Sequence, residues 1–79
     1  MSQHMLVHNG KAYQYGYDSQ LQQYYITLVD EDDGYIALCG PLSDRYGNKI
    51  GFYQTLDEQD LLQAMPTVHR YAVAADIPF

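Results

Sequence analysis

Two β-patterned runs, set between strong turn signals, constrain this chain more than anything else in it. Ala12-Tyr13-Gln14-Tyr15-Gly16-Tyr17-Asp18 alternates large rings with small or polar residues. Residues two apart on a strand share a face, so Tyr13, Tyr15 and Tyr17 fall on one side and Ala12, Gln14 and Gly16 on the other. After a short polar break comes Gln23-Tyr24-Tyr25-Ile26-Thr27-Leu28-Val29-Asp30, rich in the β-branched and aromatic residues that suit a pleated surface. Upstream, Asn9-Gly10 is a two-residue hairpin signal, because a type I′ turn needs φ > 0 at both central positions. Downstream, Asp30-Glu31-Asp32-Asp33-Gly34 reads as a second turn, with Gly34 as its φ > 0 residue. Such a chain is committed to antiparallel hairpins.

The remaining elements follow from local signals. Strands are expected over residues 4–8, 11–17, 23–29 and 35–39, the last stopped by Gly40-Pro41. Residues 42–51 read as a loop and 52–54 as a short extended piece. Thr55-Leu56-Asp57-Glu58 matches a capping box, which predicts a helix start at Thr55, with Asp57, Glu58 and Asp60 at the favourable positive end of its dipole. Leu61, Leu62 and Met65 would form its apolar stripe. Pro66 would end it and open another. Val68, Tyr71, Ala72 and Ala75 are spaced for a second helix over 67–75, with a strand as the alternative. The tail Asp76-Ile77-Pro78-Phe79 is expected to dock. The reading is one small α+β domain over residues 1–79. A three- or four-stranded antiparallel sheet carries one or two C-terminal helices on one face. Leu61, Leu62, Met65, Val68 and Tyr71 would cover Ile26, Leu28, Ile36 and Leu38.

Charge narrows the partners. Ten acidic against four basic residues leave a net charge of −6. That disfavours direct contact with nucleic acid or anionic lipid, where each phosphate wants a cation. It suits a basic protein surface, including one that normally holds nucleic acid. A lone Cys39 forbids an intramolecular disulfide and fits a reducing compartment. No basic leader with an apolar core is visible at the start and no apolar run approaches about 18 residues, so a cytoplasmic location is expected.

The residues that could carry chemistry do not form a recognised pattern. An EF-hand begun at Asp30 places its glycine one position early and Pro41 where the closing glutamate belongs. His4, His8, Cys39 and His69 lack zinc-ligand spacing. Cys39 with His69 could be drawn as a nucleophile pair, yet the flanking Ala37-Leu38 and Gly40-Pro41 fit a buried strand end. The glycines are too scattered for a phosphate loop. No enzyme activity, metal or cofactor is expected.

Gly16-Tyr17-Asp18-Ser19-Gln20-Leu21-Gln22-Gln23-Tyr24-Tyr25, then Leu28-Val29-Asp30 and the closing Asp76-Ile77-Pro78-Phe79, resemble a set of small uncharacterised proteins of plasmids, phages and conjugative elements. The resemblance implies a mobile-element origin and carries over no catalytic residues. By analogy with small acidic proteins of such elements, it implies an inhibitor of host defence, of the anti-restriction or anti-CRISPR kind. A thin domain cannot bury nine tyrosines, and exposed tyrosine beside carboxylates suits recognition. The partner-binding candidates are Tyr13, Tyr15, Tyr17, Tyr25, Asp30, Glu31, Asp32, Asp33 and Tyr35. The expected function is a non-enzymatic module that binds a basic protein surface. The alternative is a homo-oligomer, possible as a dimer, joined through exposed aromatics. A metal or thiol enzyme built on Cys39, His69, His4 and His8 ranks third. If the helices cover the Tyr13–Tyr15–Tyr17 face, the recognition set shrinks to Tyr25, Tyr35 and the 30–33 turn.

Overall fold

The computed structural model describes residues 2–79. Four strands, β1 (His4–His8), β2 (Lys11–Asp18), β3 (Gln23–Asp30) and β4 (Gly34–Cys39), precede two helices, α1 (Lys49–Glu58) and α2 (Thr67–Ala74). The strands form one antiparallel meander in sequence order, so every connection within the sheet is a hairpin. Asn9 and Gly10 take φ of 53° and 75°, the paired positive values of a type I′ turn, and Gly34 takes 75°. The α+β architecture, with hairpins first and helices on one face, matches the expectation from the sequence.

Register sorts the faces. His4 opposes Tyr15 and Leu6 opposes Tyr13. Tyr13, Tyr15 and Tyr17 oppose Leu28, Ile26 and Tyr24. This face is the covered one: Tyr13 and Tyr15 are only 2% and 3% exposed, and Ile26, Phe52, Leu56, Leu61, Met65 and Val73 are buried with them. α1 packs on β3 and β4, where Phe52 lies against the Tyr24 ring at 5.0 Å between centroids. α2 lies on the same face towards β1 and β2, with His69 beside His4 and Tyr15. Phe79 docks into the same cluster, stacked on His4 at 5.3 Å, as expected of the tail.

The first helix departs from the sequence reading. It starts at Lys49, not Thr55, and takes in residues 52–54, which were expected to be extended. Its cap is Asn48, whose Oδ1 accepts from the Gly51 amide at 2.8 Å. Thr55 is a buried interior residue whose hydroxyl donates to the Gly51 carbonyl one turn back. Glu58 does not reach back to an amide; Arg45 holds its carboxylate through two hydrogen bonds of 2.7 and 3.1 Å. The Thr-x-x-Glu spacing is met without a cap.

Both helices close in the same way. Asp60 sits at φ 58° just past α1, with Asp60 N–H donating to Asp57 O and Leu61 N–H to Leu56 O. Asp76 repeats this past α2, donating to Val73 O while Ile77 N–H donates to Ala72 O. These are Schellman motifs, in which glycine is the usual left-handed residue and aspartate is here instead. Leu61 and Met65 stay in the core from the turns that follow α1. On α2 the inward residues are Ala72 and Val73, while Val68 and Tyr71 face solvent. The buried stripe is therefore displaced from the one expected.

Candidate functional site

Three of the nine candidates stand on the covered face. Tyr13 and Tyr15 are structural: Tyr13 Oη donates to Gln59 Oε1 at 3.2 Å, and Tyr15 Oη meets His69 Nδ1 at 2.5 Å. Burial raises both phenol pKa values, so the rings stay neutral, and the imidazole tautomer sets which partner donates in the Tyr15–His69 hydrogen bond. Tyr17 is half-buried against Tyr24 at 4.8 Å. None of the three presents a free face to a partner of any size.

Tyr25 lies on the opposite face, half-buried, with its hydroxyl donating to the Ser2 carbonyl at 2.5 Å. Ser2 crosses close over Gly16, where an added Cβ would come within 2.2 Å of the Ser2 oxygen. Only glycine allows that approach. Tyr35, 68% exposed, is the second residue of β4, just after the acidic turn. Of the five tyrosines among the candidates, it alone is freely available.

The acidic turn is ordered by one of its own members. Asp30 Oδ1 accepts from the Asp32 and Asp33 amides at 2.8 and 2.9 Å, an Asx-type turn. The Asp33 amide, then the Asp32 amide, hold the Asp30 carboxyl below the usual range for aspartate. Glu31, Asp32 and Asp33 are exposed and accept no hydrogen bond from the described residues.

The antiparallel meander places the β1–β2 and β3–β4 turns at one end of the sheet, and α1 ends there too. His8, at the end of β1, lies 3.8 Å from Asp60, and Gln59 reaches Tyr13. Seven of the ten carboxylates therefore gather at this end: Asp30, Glu31, Asp32 and Asp33 from the turn, and Asp57, Glu58 and Asp60 from the close of α1. The last three were expected at the positive end of the helix dipole; with the helix starting at Lys49 they stand at its negative end. Neither helix carries a basic residue in its last turn. Arg45 offsets Glu58 and lowers its pKa. Lys11 is the other cation nearby.

The two histidines that come together are His4 and His69, with ring centroids 4.2 Å apart. His4 Nε2 is buried without a hydrogen-bond partner among the described residues. Burial, and secondarily the neighbouring His4, lower the His69 pKa. Cys39 lies on β4, three strands from β1 and so about 14 Å from His4 at ordinary strand spacing. It is 1% exposed, and burial raises its thiol pKa despite Thr55 and Arg45 nearby. The Cys39–His69 pair is thus not assembled, and no group of three or more metal-ligating side chains forms among the described residues.

The face opposite the helices is uncovered. It presents Met5 and Val7 from β1, Ala12 and Gln14 from β2, Tyr25, Thr27 and Val29 from β3, and Tyr35 and Ala37 from β4. The alternation of β2 defines this face, but which side the helices take depends on contacts distant in sequence that no local pattern encodes. No described helix is long and apolar enough to cross a membrane. Comparison with protein-family profiles, with curated proteins and with solved structures finds no match to this chain.

Proposed function

We propose that the chain is a non-enzymatic protein-binding module whose acidic end engages a basic protein surface of the kind that holds nucleic acid. The observation that supports this most is where the carboxylates sit. Asp57, Glu58 and Asp60 stand at the negative end of α1, where the helix dipole disfavours them by about 0.3–1 kcal/mol each at the surface. Asp60 also occupies a left-handed position that glycine fills more cheaply. Asp76, in the matching position after α2, is offset by Lys49 at 2.8 Å; among the described residues Asp60 has only His8, at 3.8 Å. Local stability is given up at one end of the molecule, and departures of that kind concentrate at functional sites.

The chemistry suits phosphate mimicry. Free carboxylates of the 30–33 turn and of the α1 terminus would meet lysines and arginines in the partner's groove. Tyr35, next to the turn, supplies an exposed ring where a base would stack. A protein of this kind acts by occupying the groove, as an inhibitor of a nucleic-acid-binding or defence protein of the host would.

The test is affinity capture from the native host, comparing the unaltered chain with a Glu31→Lys, Asp32→Lys, Asp33→Lys variant. Asp30 is left in place because it holds the turn. A nucleic-acid-binding protein should be retained by the former, eluted by moderate salt and displaced by its own nucleic acid. Equal retention by both chains, or retention indifferent to salt, would exclude the acidic end as the site.

A further inference from the structure

We infer that the uncovered sheet face is a self-interface, through which two copies of this chain pack face to face as a two-fold dimer with their acidic ends pointing in opposite directions. The face differs from the rest of the surface in one respect. On a chain of net charge −6, its exposed strand positions carry no charged side chain. Asp18 is the one carboxylate of that parity, and it is buried, with Oδ1 accepting from the Gln20 and Leu21 amides.

Large apolar side chains stand free around this face. Met5 is 58% exposed and Val7 72%, both on β1, and Leu42 is 93% exposed at the far end. Leu21 and Leu42 border a hollow of about 630 Å³ that opens over Gln14, Thr27 and Tyr25. A basic partner would gain nothing from charge here. A second copy would meet an uncharged surface, and no carboxylate would have to be desolvated.

The centre of the face is self-complementary. Gln14 and Thr27 are direct cross-strand neighbours, and each side chain carries both a donor and an acceptor. A two-fold axis passing near them lets each amide and hydroxyl pair with the equivalent group of the other copy, as an isologous contact requires. Four strands at about 4.8 Å, up to eight residues long at about 3.3 Å each, give a face of roughly 19 by 26 Å. Because β1 and β4 are shorter, at five and six residues, two such faces bury on the order of 850 Å², the size of a weak interface that opens on dilution. Sheets stacked this way run within about 30° of each other. Of the two possible directions, the one with strands opposed keeps the two sets of seven carboxylates apart.

Sedimentation at high micromolar concentration tests this. The chain of 9.1 kDa should sediment with twice that mass and dissociate on dilution. Gln14→Lys and Thr27→Glu, each on the half-exposed centre of the face, should each be monomeric, and mixing the two should restore a dimer by charge complementarity. That rescue separates a broken interface from a broken fold. The Glu31→Lys, Asp32→Lys, Asp33→Lys variant should remain dimeric, so a failure of the acidic-end reading leaves this result untouched. A monomeric parent chain, a Gln14→Lys chain that still dimerises, or mixed variants that stay monomeric would each overturn the self-interface.

Discussion

At the scale of single residues, tyrosines of one type do three jobs. Tyr15 is core and positions His69; Tyr25 is tied to Ser2; Tyr35 is free. Tyr15→Phe should cost about 1–2 kcal/mol in denaturant unfolding, since it leaves His69 Nδ1 without its hydrogen-bond partner. Tyr35→Phe should leave stability unchanged within about 0.5 kcal/mol. The His69 pKa is lowered in the folded protein from the ordinary 6.5, first by burial and then by His4. The unfolded chain therefore binds the proton more readily, and stability falls as pH drops below about 6.5 towards the folded value. Thermal unfolding between about pH 7.5 and about pH 5.5 should show that decline, and His69→Gln should flatten it. Asp30 and Glu58, whose pKa values are depressed by backbone amides and by Arg45 respectively, lose their contribution only at lower pH, below the ordinary carboxylate range. Which tyrosines share a face was legible from the alternation of residues 12–18. Which face the helices cover was not, because that depends on contacts with residues more than 30 positions away.

At the scale of elements, the hairpins were readable because their turn chemistry is local: Asn9-Gly10 and Gly34 need positive φ whatever the rest of the chain does. The start of α1 is not where the capping pattern puts it, because Thr55 and Glu58 satisfy that pattern while serving other partners, Gly51 and Arg45. The true cap, Asn48, lies in a segment that reads as loop, and Gly51 within the first turn weakens the helical signal. Asn48→Ala should therefore cost about 0.5–2 kcal/mol in chemical denaturation. Asp60→Gly should raise stability by about 1 kcal/mol, since it relieves both the left-handed backbone and the unfavourable charge at the helix end. If the acidic end binds a partner, the same substitution should weaken that binding. A gain in both would show that Asp60 has no part in recognition.

At the scale of the whole molecule, two surfaces with opposite character emerge from one meander. The end of the sheet concentrates carboxylates, and the uncovered face exposes none, since Asp18 is buried. Composition announced the net charge of −6 but not its placement, which arises because the hairpin turns and the close of α1 meet at the same end. The helix start sets that arrangement: beginning at Lys49 rather than Thr55 moves Asp57, Glu58 and Asp60 from the positive to the negative end of the dipole. The most direct test of the acidic end as the recognition site is a residue-resolved amide NMR map of the chain on addition of the captured partner. Perturbations should cluster at residues 30–35 and 57–60 and fade with added salt. Perturbations centred on α2, or insensitive to salt, would contradict it.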